Sequence, residues 1–108
     1  LYFAPECFTD IYLPTSDVFS AGIVFYKMLT GAYPWELDLI NFNDLNDITK
    51  NIMISRKKRP VPPSFFNNNI SIETDNVILK SLELDIEKRY NNGIDFLDAI
   101  KEIEQLKL

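Results

Sequence analysis

Twelve consecutive positions, Val18 to Leu29 (VFSAGIVFYKML), carry a single charge, Lys27. No other stretch limits the possible folds as much. The run is well short of the roughly 20 apolar residues that span a bilayer, so it has to be buried by other parts of the protein. Thr15 or Ser16 can cap its first turn, and Asp17 suits the positive end of a helix dipole. Gly31 falls where a left-handed residue closes a helix, and Pro34 blocks any continuation. These features predict a long buried central helix over about residues 16–30.

Shorter amphipathic segments follow it. Leu45, Ile48, Ile52 and Met53 give one apolar side to a helix over about 43–54. The stretch SRKKRPVPPSFFNNN, with its prolines and asparagines, reads as an irregular connection. Ser71 is placed to cap a helix over about 71–83, on which Thr74, Val77, Ile78, Ser81 and Leu82 share a face. ELDIEKRYNN reads as a turn, and Phe96, Leu97, Ile100 and Ile103 line a last helix over about 92–106. No alternating pattern of useful length occurs, so the expected fold is all-α. At 108 residues the chain makes one domain with one modest core.

Composition removes most familiar chemistry. The chain has no histidine, so it can form no Ser-His or Cys-His nucleophile and no imidazole metal ligand. Cys7 is the one cysteine, which excludes an internal disulfide and a thiolate zinc cluster and suits a reducing compartment. Gly22, Gly31 and Gly93 are too scattered to cradle a phosphate. A net charge of −5 argues against nucleic acid as a partner. In that setting the basic run SRKKR reads as a solvated loop rather than a nucleic-acid patch. Asp38, Asp44 and Asp47 match no metal-ligand spacing and read as a solvated helix face. No secretory, transit or membrane segment is recognisable, so the expected location is cytoplasmic.

Three stretches stand in a fixed order: YFAPE, SDVFSAGIVFYKMLTGAYPW and PPSFFNNNISIETDNVILKSLELDIEKRY. Together they resemble the helical C-terminal lobe of a eukaryotic-type Ser/Thr protein kinase, from the Ala-Pro-Glu motif to the end of the domain. The tail of the chain is similar to bacterial kinases of this type. The resemblance implies that residues 1–108 are part of a kinase domain and that its catalytic half belongs before Leu1. It also implies that Glu6 pairs with Arg89, a carboxylate and a guanidinium suited to a two-pronged contact. The plainer alternative is a pair of surface charges worth little.

In the family, the position of Asp17 anchors the catalytic loop, and Tyr2 and Phe3 match the loop that reads the substrate residue after the phosphorylated one. Tyr2, standing two places before Ala4 where a Trp might stand, looks more like a Ser/Thr than a Tyr kinase. Lys27 stands where kinases of basic substrates often carry Glu, which implies no preference for an arginine upstream of the target. Phe19, Ala21 and Ile86 depart from the family's usual Trp, Leu and Pro as packing variations.

The motifs that would bind ATP and magnesium and transfer phosphate are not among these residues. No catalytic, cofactor-binding or metal-binding residue is therefore expected here, and the fragment alone is expected to be inactive. ATP, magnesium and a protein substrate are implied only for a full-length kinase. A pseudokinase lobe and a free-standing helical interaction module remain alternatives. A lobe cut at this point is expected to expose apolar surface and to self-associate.

Overall fold

The computed structural model describes residues 2, 4–9, 11–35, 50, 54, 55 and 58–107. Among them are three α-helices, α1 (Pro14–Thr30), α2 (Ile72–Ser81) and α3 (Gly93–Lys107), with 3-10 turns at Pro5–Thr9, Pro63–Phe65 and Ile86–Lys88. No strand occurs among the described residues, and the fold is all-α. The helix expected over about 43–54 lies outside the described residues except at Lys50 and Ile54, which are helical.

α1 starts at Pro14 rather than near residue 16, and neither Thr15 nor Ser16 is its cap. Proline lacks the N–H that a first helical residue would leave unpaired, and its fixed φ already suits the helix. Leu13 before it is extended, and the Ser16 hydroxyl, one turn in, accepts the Leu13 N–H at 3.1 Å. The far end closes as expected: Gly31 has φ 74°, and its N–H reaches the Lys27 carbonyl at 2.7 Å.

Burial of α1 is one-sided. Thr15, Val18, Phe19, Gly22, Ile23 and Tyr26 form the buried stripe, whereas Val24 and Met28 are 44% and 74% exposed. The long apolar run thus covers more than the face turned to α2 and α3. Both helices pack on that stripe and on each other. Ile78 and Leu82 come from α2 and its end, and Phe96 from α3. Phe96 stacks on Tyr90 at 5.5 Å and meets Phe25 edge-on at 5.7 Å. Leu97, expected on the inner face of α3, is instead 48% exposed because Phe96 and Ile100 already occupy that contact.

α2 begins as its sequence indicates, with the Ser71 hydroxyl accepting the Thr74 N–H at 3.2 Å. Its buried Asp75 accepts the Ser64 N–H at 2.9 Å and the Ser64 hydroxyl, which ties the proline-rich connection to the helix. The Tyr26 hydroxyl donates to the Val61 carbonyl in the same connection. The buried Asp75 carboxylate and Tyr26 hydroxyl are thereby paired with this loop.

α1 and α2 cross most closely at Gly22. A Cβ there would overlap the Ser81 hydroxyl and stand 2.9 Å from the Ser81 Cβ, which is fixed to the backbone, and 3.0 Å from a Leu82 methyl. Gly22→Ala gains about 1 kcal/mol of helix propensity but forces the helices apart, at a cost of about 1–3 kcal/mol. The expected result is a net loss of stability in urea unfolding. A more stable variant would show that the helices do not meet this closely.

Candidate functional site

The segment before α1 is short and tightly held. Ala4 is fully buried in the core. Pro5 opens the 3-10 turn, the Cys7 N–H reaches the Ala4 carbonyl at 3.0 Å, and Ile11 N–H reaches the Glu6 carbonyl at 3.2 Å. This turn aims the Glu6 side chain inward, where it meets Arg89.

The two residues lie 83 positions apart and form a two-pronged pair: Nη1 to Oε2 at 2.7 Å and Nη2 to Oε1 at 2.9 Å. The Arg89 side chain is fully buried, and that of Glu6 is 8% exposed. Arg89 uses its remaining donors on backbone carbonyls: Nε to Glu83 at 2.6 Å, Nη1 to Thr15 at 3.2 Å and Nη2 to Leu84 at 3.4 Å. All five guanidinium N–H groups are thus occupied. The guanidinium carbon also lies 4.8 Å from the centre of the Phe19 ring. One side chain therefore joins the first turn, the start of α1 and the turn before α3.

Burial of Glu6 works against its charge, but hydrogen bonds from Arg89 and Ser16 more than offset this and hold its pKa below the ordinary glutamate value. The Ser16 hydroxyl donates to Oε2 at 2.5 Å while accepting the Leu13 N–H. Because the folded pKa is lowered, the pair's stabilisation is complete above the unfolded value of about 4.3 and is lost as pH falls through the folded value. Urea midpoints near pH 6 and pH 3 should therefore differ more for the unaltered protein than for Glu6→Gln. Equal differences would rule out a role for this carboxylate in the acid sensitivity.

Tyr2 is 37% exposed, with its ring edge-on to Tyr33 at 6.5 Å. Its carbonyl accepts the Ser20 hydroxyl at 2.6 Å, and its own hydroxyl stands 3.4 Å from Lys27 Nζ. Phe3 lies outside the described residues. Asp17 is exposed on the first turn of α1 and faces a cavity of about 400 Å3 shared with Cys7, Tyr12, Ser16 and Ser20. The structure thus joins Glu6 to Arg89 and sets Tyr2 beside Lys27, while Asp17 stands apart from both. Ser16, Ser20 and Phe19 complete these contacts, yet nothing in their spacing marks them beforehand.

Among the described residues that line that cavity, Asp17 is the one carboxylate, with no lysine or arginine beside it. Among the described residues, no group of three or more His, Cys, Asp or Glu is placed to hold a metal ion. No helix of the described residues is long and apolar enough to cross a membrane.

The protein kinase domain model matches residues 1–105. The chain belongs to the protein kinase domain family. It is 30% identical over 105 residues to a protein of Clostridium perfringens named "Probable serine/threonine-protein kinase", covering 96% of this chain. A Clostridium acetobutylicum protein with the same description is 31% identical over 104 residues. The serine/threonine-protein kinase PknB of Mycobacterium leprae is 32% identical over 81 residues, or 74% of this chain. The chain spans 14%, 15% and 12% of the lengths of these relatives. Its Ala4-Pro5-Glu6 turn is the segment that Arg89 fastens to the helical lobe.

Proposed function

We propose that residues 1–108 are the C-terminal lobe portion of a kinase domain whose parent protein transfers the γ-phosphoryl group of ATP to serine or threonine hydroxyls of a protein substrate. In that reaction the hydroxyl oxygen displaces ADP and loses its proton, and charge is spread over the transferred group. This chain supplies support for the reaction, not the reacting groups. ATP and magnesium are assigned to the parent protein, in keeping with the kinase family to which the chain belongs.

Tyr2 and Phe3 are assigned to the platform that receives the substrate, Asp17 to anchoring the loop that would lie above it, and Glu6 with Arg89 to fixing the platform. The observation that carries this reading is the five-donor Arg89 clamp, which holds the turn after Tyr2 against α1. We place the parent protein in the cytoplasm on the single reduced Cys7, and we assign the exposed face of α1 at Val24 and Met28 to self-association of the isolated lobe.

Incubation of the parent protein with radiolabelled ATP and a serine- and threonine-containing substrate protein tests the activity. Label on serine or threonine is expected. Absence of transfer, with the fold intact, would instead make the lobe part of a pseudokinase. Lys27, 3.4 Å from the Tyr2 hydroxyl, stands where kinases of basic substrates often carry Glu and would repel an upstream arginine, so a peptide array should show no selection for that arginine. Strong selection for it would remove Tyr2 and Lys27 from the platform.

A further inference from the structure

Lys58, Arg59 and Lys88 are all exposed, and none of them forms an ion pair among the described residues. Two hollows lie on either side of Lys58 and Arg59. One, of about 300 Å3, has the buried side chains of Pro60, Leu79 and Leu82 at its base and includes Lys88 and Glu83. The other, of about 240 Å3, has the buried Pro34 and Trp35 at its base beside Val61. Among the described residues that line the two hollows, Lys58, Arg59 and Lys88 stand against the single carboxylate of Glu83, an excess of positive charge on a chain whose net charge is −5.

The ridge between the hollows is fixed. Trp35 Nε1 donates to the Lys58 carbonyl at 2.8 Å, and the Lys58 N–H reaches the Ser55 carbonyl at 3.1 Å. A groove held this way needs little ordering when something binds it.

We propose that this groove docks an acidic peptide segment of a partner protein. An apolar side chain of the peptide sits in each hollow, and the carboxylate between them meets Lys58 and Arg59, with Lys88 taking a second acid. Each hollow is at or below the small end of the range of about 300–1,000 Å3 typical of sites for whole small molecules, so single side chains suit them better. A long polyanion would meet the repulsion of the acidic remainder of the chain. A flat membrane surface would leave both recessed bases unfilled. Buried apolar anchors ringed by charge are the usual division of labour at a peptide interface: the anchors hold and the charges select.

The test is a titration of the parent kinase with a fluorescein-labelled peptide that alternates leucine with aspartate and glutamate, read by fluorescence anisotropy. Saturable binding that weakens with added salt is expected. It should also weaken when serine replaces the leucines. The Lys58→Glu, Lys88→Glu double variant should bind roughly tenfold or more weakly, as fits the reversal of two rim charges. Both side chains are exposed, so its circular dichroism should be unchanged, and Lys101→Glu on α3, outside the groove, should bind normally.

Binding that ignores the double reversal, or equal binding of a lysine-for-acid peptide, would overturn the proposal. Binding confined to a phosphorylated version of the peptide, or to anionic vesicles, would also overturn it and assign the groove to those ligands.

Discussion

Arg89→Ala is expected to lower the melting temperature by more than about 12 °C, from a cost on the order of 3–5 kcal/mol for breaking a buried pair at about 4 °C or more per kcal/mol in a domain of this size. The large figure follows from what is left behind. Glu6 would keep its Ser16 bond but lose both contacts to the guanidinium. The carbonyls of Thr15, Glu83 and Leu84 would each lose a donor. An unmet buried acceptor costs about 1–3 kcal/mol unless water reaches it.

Glu6→Ala leaves the fully buried guanidinium without its counter-charge but should be milder, because the three carbonyls keep their donors. Arg89→Lys should recover little. An ammonium is a compact charge and cannot reach both carboxylate oxygens and three carbonyls in one plane. Thermal melts of the three variants give the order directly. A melt of Arg89→Ala unchanged from the parent sequence would mean that the pair carries no weight.

Phe19→Ala is expected to cost about 3–5 kcal/mol, the usual range for truncating a buried aromatic ring. Phe19 is fully buried and stacks on Trp35 at 5.7 Å with ring planes only 9° apart. The loss of that pair adds about 0.5–1.5 kcal/mol beyond burial alone. It also takes away the ring beneath the Arg89 guanidinium, so the first prediction and this one are coupled rather than additive. Trp35 reports the change itself: its emission should shift to the red as water enters the space beside it. Unshifted emission with an unchanged urea midpoint would show that Phe19 is not the support for both.

The helices were largely legible in the sequence because their signals are local. Gly31 and Ser71 act as end markers through their own backbone and hydroxyl, and both are used that way. The start of α1 was harder to read, because Pro14 competes with Thr15 and Ser16 for the boundary and its fixed φ prevails. Leu97 shows the limit of periodicity. Its spacing fits the inner face of α3, but the space is already filled by Phe96 and Ile100.

The site is legible in a different way. Nothing in spacing or composition connects Glu6 to Arg89 across 83 positions; only the family motifs do. The remaining Arg89 partners are backbone carbonyls, which leave no mark on the sequence at all. Ser16 was read as a cap for a helix, and its bond to Glu6 joins residues ten positions apart, which local patterns do not encode.

The central claim is that Glu6 and Arg89 act on each other, and that this contact holds the Ala-Pro-Glu turn to the lobe. A double-mutant cycle of Glu6→Ala, Arg89→Ala and the combined variant, read by urea unfolding, isolates their interaction from the carbonyl contacts that Arg89 also makes. A coupling energy of about 1.5–3 kcal/mol is the predicted result. A coupling within about 0.3–0.5 kcal/mol of zero, the scatter of independent sites, would contradict it.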